Sequence, residues 1–200
     1  MKTTGRAGKE SSQDRRIVRT HRLLAEALME LILEKGYEAV TVRDITERAD
    51  VGYATFFRHY TDKEALLHEV VNVVLEDLVQ LLQPQRASGD NIALGTELFR
   101  YVAGHSRLCL ALLGSKGSPL LVRRIIAAGT ANVLSENVQR PDAAIPIEVA
   151  AHHLIAATLH LIEWWLEHDM PYPPERMGLI YHELISRPTH EVAFEEGSKK

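Results

Sequence analysis

Apolar residues recur at helical spacing along most of the chain. Leu24, Ala27, Leu28, Leu31 and Ile32 mark one buried face of a first helix. Ser11 or Ser12 is its expected cap, and Gly36 its stop, because glycine tolerates the left-handed turn after a helix end. A connector over 37–40 leads to Thr41, which caps a second helix with Asp44 at the capping-box offset. Val42, Ile45 and Ala49 form that helix's inward face. Residues 50–52 break it, and 53–60 make a short third helix. Asp62 caps a fourth, striped by Leu67, Val70, Val71, Val74, Leu78 and Leu81. Pro84 and Gly89 predict a loop over 83–91. Further helices are expected over 92–105, 106–113, 119–138, 147–168 and 173–186, with a frayed tail over 187–200. No alternating strand pattern stands out, so the chain reads as all-α with about nine helices.

Composition narrows the class. The 200 residues are 46% hydrophobic and 25% charged, which suits one or two folded domains and excludes a disordered or collagen-like chain. A single cysteine, Cys109, leaves no intrachain disulfide and no Cys-rich zinc site. No apolar run approaches the roughly 18 residues of a membrane helix. The first 16 residues lack the apolar core of a signal peptide. A cytoplasmic protein with no membrane partner is therefore expected. The net charge of −4 hides an asymmetry. Residues 1–22 hold seven basic and two acidic side chains, whereas 64–200 hold 11 basic and 17 acidic. A basic arm on an acidic body suits a polyanion at one end, although a solvated tail would have the same composition.

The segment 41–60, TVRDITERADVGYATFFRHY, reads as a helix, a three-residue turn and a second short helix. Ala49 and Val51 are small enough to pack between the two. The second helix carries Tyr53, Thr55, Phe57, Arg58 and His59, bulky or hydrogen-bonding residues that cannot all face a core. Together with Gly36-Tyr37-Glu38, Thr41-Val42-Arg43-Asp44-Ile45, Thr55 through Tyr60 and Asp62-Lys63-Glu64-Ala65-Leu66, this stretch resembles the TetR family of bacterial transcription regulators over about residues 15–75. The resemblance implies a three-helix DNA-binding domain, a divergent helical ligand-binding domain and a two-fold dimer. It divides the chain into a flexible basic arm (1–14), a DNA-binding domain (15–63), a regulatory and dimerisation domain (64–186) and a flexible tail (187–200).

The resemblance also implies roles. Thr41 and Arg43 should touch flanking DNA backbone. Tyr53, Ala54, Thr55 and Arg58 belong to the helix that faces base edges or phosphates. His59 matches a backbone-contacting position. Phe57 stands where the family commonly has a tyrosine whose hydroxyl meets a phosphate, and Tyr53 or Tyr60 is expected to supply that hydroxyl instead. Lys63, in the first turn of the fourth helix, should hold a phosphate together with backbone N–H groups. Arg15, Arg16 and Arg19 open the first helix beside the DNA, within reach of phosphates or a minor groove. Asp50 replaces the family's usual glycine but tolerates a left-handed turn. Gly52 replaces a Ser or Thr cap at small cost.

The second half is expected to bind a small-molecule effector and a second copy of the chain. The helix over 147–168 has two apolar faces, one for its own core and one for a partner. The resemblance implies a four-helix bundle with the symmetry mate, assigned to Leu154, Ala157, Leu161, Trp164, Met177, Ile180, Tyr181 and Leu184. The tryptophans 164 and 165 are expected to pack as core. Effector-binding residues are not legible. His152, His153, His160 and His168 share one helix without convergent zinc spacing, and no His-Glu pair continues into the zincin motif, so no metal is expected. Cys109 reads as a buried apolar residue. No phosphate loop or nucleophile elbow is present, so no enzyme and no cofactor is expected. The resulting expectation is a dimeric, ligand-responsive repressor of a palindromic double-stranded operator. The alternatives are an architectural DNA-binding protein without an effector and a helical enzyme on a vestigial DNA-binding fold.

Overall fold

The structure, a computed structural model, describes residues 6–195, with side chains from Arg15 onward. The side chains of the basic arm before Arg15, including Ser11 and Ser12, and the last five residues lie outside the described residues. The described backbone is helical: α1 (Arg6–Lys35), a 3-10 turn (Tyr37–Ala39), α2 (Val42–Ala49), α3 (Tyr53–His59), α4 (Lys63–Ser88), α5 (Asn91–Gly104), α6 (Ser106–Leu113), α7 (Pro119–Glu136), α8 (Ile147–Glu167), α9 (Pro174–Tyr181) and α10 (Arg187–Ala193). A π turn, His182–Ser186, joins α9 to α10 into one continuous rod. Counting that rod once gives nine helices among the described residues. Two compact units divide within α4, after Leu75.

The first unit is built as the sequence pattern requires. Leu24, Ala27, Leu28, Leu31 and Ile32 of α1 are buried, as are Ile45 and Ala49 of α2 and Phe56 of α3. Thr41 accepts from Asp44 N, and the Asp44 carboxylate accepts from Thr41 N at 2.8 Å, closing the capping box. Asp50 ends α2 in the left-handed region at φ 52°. Arg48 reaches back to α1, donating to Glu30 at 3.1 Å and to Glu34 at 2.7 and 2.8 Å. Three charges thus lock α2 onto α1.

Several boundaries differ from the sequence reading. The backbone of α1 is already helical from Arg6, ahead of the expected serine cap and inside the arm expected to be flexible. The loop expected over 83–91 is mostly helix, since α4 runs to Ser88 with Pro84 inside it. Proline forfeits one hydrogen bond there. Beyond it Arg86 donates to Asn132 and pairs with Glu136 of α7 at 2.6 Å, which holds the last turn in register. Leu82 rather than Leu81 is buried, because a stripe spaced about every 3.5 residues drifts around a long helix of about 3.6 residues per turn. The tail is also ordered as far as Glu195. Ala193 and Phe194 are buried, and the segment pairs with the α7–α8 connector through Arg140 N to Ala193 O at 3.1 Å and Glu195 N to Val138 O at 2.9 Å. Apolar burial and backbone pairing fix residues whose composition alone suggests fraying.

The second unit packs Leu98, Phe99, Val102, Ala151, Leu154, Ile162, Trp165, Met177 and Tyr181 into one core. α5 and α9 cross at glycines. A Cβ on Gly95 would lie 2.7 Å from the Tyr181 ring, and one on Gly178 would lie 2.6 Å from the Thr96 nitrogen. The corner after α8 carries Asp169 and Met170 in the left-handed region. Trp165 Nε1 pins it by donating to Tyr172 O at 2.9 Å.

Candidate nucleic-acid interface

α2, the turn at 50–52 and α3 form the candidate site. Gly52 begins α3 without a side-chain cap, and its carbonyl accepts from Thr55 N at 2.7 Å. Phe56 anchors the rod and is fully buried. Tyr53, Ala54, Phe57 and Arg58 fall on the opposite side and are exposed. The rings of Tyr53 and Phe57 are 56% and 47% exposed and meet edge to face at 5.1 Å. Large apolar rings left in water on a seven-residue helix are costly unless another surface covers them.

Other expected contacts divide into three groups. Arg15, Arg16 and Arg19 are exposed on α1, and Arg43 is exposed and paired with Glu47 at 2.9 Å. Thr41 is exposed, but its hydroxyl donates to Asp44 Oδ2 at 2.6 Å within the capping box. Thr55 is half-buried. Tyr60 is the clear departure: at 5% exposure it belongs to the core, and its hydroxyl is buried. Burial and the nearby Glu69 carboxylate push its pKa up. Of the two tyrosines expected to replace the missing Phe57 hydroxyl, only Tyr53 is on the surface.

Lys63, expected to hold a phosphate, is engaged within its own unit. Its ammonium donates to the carbonyls of Val40 at 2.9 Å and Tyr37 at 3.0 Å, and lies 4.3 Å from the centre of the Tyr37 ring. Tyr37 and Val40 are both buried, and the Tyr37 carbonyl also accepts from Val40 N at 3.1 Å. The side chain therefore closes the α1–α2 connector. Asp62 caps α4 by accepting from Ala65 N at 2.7 Å.

His59, at the end of α3, is half-buried and joined to residues that sequence reasoning missed. His21 Nε2 lies 3.2 Å from His59 Nδ1, and His21 Nδ1 lies 2.7 Å from Glu69 Oε1. The partners are 38 and 48 residues apart in sequence, so no local spacing signals them.

In the second unit the expected dimer set splits. Leu154, Met177 and Tyr181 are buried in the chain's own core, which corrects their assignment to a partner surface. Ala157, Leu161 and Ile180 pack partly against that core, whereas Leu184 is exposed. Trp165 is core as expected. Trp164 is 42% exposed and stacks on His168 at 4.7 Å, so it is not core. Burial pushes the Cys109 thiol up to about 11, away from its reactive thiolate. Among the described residues no helix is long and apolar enough to cross a membrane, and no group of three or more His, Cys, Asp or Glu side chains is arranged to hold a metal.

A capped helix, a left-handed turn and a short rod with an exposed outer face define a helix-turn-helix protein. The model for bacterial regulatory proteins of the tetR family matches residues 24–70, and one for a transcriptional regulator C-terminal region matches 94–187. The chain belongs to the TetR family. It is 25% identical over 198 residues to the uncharacterized HTH-type transcriptional regulator YxbF of Bacillus subtilis, covering 94% of this chain and 50% of that protein. It spans about half the length of the curated relatives it matches. Its fold is shared with a TetR transcriptional regulator from Streptococcus agalactiae 2603V (TM-score 0.64, 24% identity, 88% of this chain and 98% of the other). It is shared too with NalD, the secondary repressor of the MexAB-OprM multidrug efflux pump in Pseudomonas aeruginosa (TM-score 0.62, 19% identity, 90% and 98%).

Proposed function

We propose that this chain is a sequence-specific DNA-binding transcriptional regulator, acting as a homodimer on a palindromic operator and released by a small-molecule effector. The carrying observation is the outer face of α3. Tyr53, Ala54, Phe57 and Arg58 point away from the core that Phe56 and Tyr60 anchor. Such a rod fits a major groove, where apolar rings meet thymine methyls and Arg58 meets guanine or phosphate. Arg15, Arg16, Arg19 and Arg43 supply the sequence-independent attraction to the backbone.

Regulation follows from spacing. Two copies of α3 must lie about one DNA turn apart, or a multiple, to enter successive grooves. An effector in the second unit releases the DNA only by its higher affinity for another spacing. Repression is the expected sign, as for NalD among the structural relatives. The partner surface we assign is Ala157, Leu161, Trp164, Ile180 and Leu184, the part of the apolar set that its own core leaves partly or largely exposed. The protein acts where chromosomal DNA is, in the bacterial cytoplasm, and uses no cofactor and performs no catalysis.

Selection of bound duplexes from a random pool tests the reading. An inverted repeat with half-sites a whole number of turns apart is expected. Enrichment without a common sequence supports an architectural role instead, and no enrichment at low salt overturns DNA binding.

A further inference from the structure

Glu69 of α4, His21 of α1 and His59 of α3 form a hydrogen-bonded chain that ends at the DNA-facing helix. An ionised carboxylate only accepts hydrogen bonds, so the contact at 2.7 Å places a proton on His21 Nδ1. One more proton lies in the 3.2 Å gap between His21 Nε2 and His59 Nδ1. With two protons on the two rings, both are used inside the chain, and His59 Nε2 is bare. It can then only accept, and two acceptors repel. A third proton makes the pair cationic and turns His59 Nε2 into a donor. That nitrogen has no hydrogen-bond partner within the protein and is not buried.

On the reading that α3 binds duplex DNA, we propose that Glu69 and His21 are positioning residues. They orient His59 so that its Nε2 donates to a backbone phosphate, and binding takes up one proton from solvent. A phosphate oxygen is an acceptor, so it selects the three-proton state. Glu69 balances the added charge from the far end, as a carboxylate behind an imidazole does when it sets the tautomer of a ligand histidine.

Other charged groups on the packed elements are accounted for. Tyr60 follows α3, with its ring 5.3 Å from that of His21, and its pKa is raised by burial and by Glu69, so it stays protonated across the neutral range. Arg22, next to His21 on α1, is exposed and lies 3.7 Å from Glu26. Arg58, next to His59, is exposed. His68 adjoins Glu69 on α4 and has contacts of its own.

The test is duplex affinity of the full chain from pH 6 to 8.5 at fixed salt, using a duplex selected as above. Affinity should fall as pH rises, with a slope that approaches but does not exceed about tenfold per pH unit, the limit for uptake of one proton. His59→Asn should remove most of that slope. Glu69→Gln and His21→Gln should flatten the profile as well, because a side-chain amide can donate into the chain and leave His59 Nε2 protonated without a further proton, with Glu69→Gln read beside a melting curve. One arm needs no variant: a duplex whose contacted phosphate is replaced by a neutral methylphosphonate should bind the unmodified protein with a flattened pH profile. A flat wild-type profile overturns the proposal, as does a slope that survives both His59→Asn and the methylphosphonate. If no duplex binds at any pH, the DNA-binding reading itself fails, which is a separate outcome.

Discussion

Phe57 lacks the hydroxyl that the family commonly places at its position, yet its ring is exposed beside Tyr53. Division of labour between the two rings follows. On the proposed reading Tyr53 offers its hydroxyl to a phosphate, and Phe57 offers only an apolar edge. Replacing thymine by uracil in the selected half-site removes one methyl and nothing else. At one or more positions this should cost about 0.8 kcal/mol, roughly fourfold in affinity. Phe57→Ala should abolish that sensitivity, whereas Tyr53→Phe should weaken all duplexes alike. Equal response of wild type and Phe57→Ala to uracil would remove base reading from Phe57. At this scale the sequence announced which residues share α3 but not where each would point. Tyr60 and Lys63 read as DNA contacts because their types suit one. Only packing shows that Tyr60 is core and that Lys63 is spent on the carbonyls of Tyr37 and Val40.

Element boundaries set by local chemistry were the most legible. The Thr41–Asp44 box, the left-handed Asp50 and the Asp62 cap all occur where short-range rules put them. Boundaries set by distant partners were not, as Pro84 within α4 and the tail bound to the α7–α8 connector demonstrate. The α2 cap also makes a pH prediction. Hydrogen bonds from Lys35 and Thr41 hold the Asp44 carboxyl well below the usual carboxylate range. A depressed folded value adds stability that is present above the unfolded pKa, about 3.9, and lost as pH falls through the folded one. Melting curves from pH 7 down to pH 3 should therefore show Asp44→Asn destabilised at neutral pH. The gap to wild type should shrink in acid. Thr41→Ala should cost about 1 kcal/mol through the same cap. A gap for Asp44→Asn that is constant with pH would deny the carboxylate this role.

For the whole molecule, α5 and α9 define how the second unit is assembled. Their glycines let backbones approach more closely than any side chain permits. Gly178→Ala should destabilise that unit by about 1–3 kcal/mol by overpacking. Calorimetry should show its melting temperature lowered by roughly 2–4 °C per kcal/mol. No loss would mean that α5 and α9 part easily. The all-α architecture was readable from periodicity alone, because each helix repeats its apolar face several times. The dimer surface was not. Leu154, Met177 and Tyr181 share their spacing with residues that remain outside, and only tertiary burial separates the two sets.

The outer face of α3 is the centre of the account, and a structure of the protein on its selected duplex examines it most directly. Two α3 rods should lie in successive major grooves about 34–36 Å apart, with Tyr53 and Phe57 against the DNA. Rods turned from the duplex, or a single copy bound through α1 alone, would contradict it.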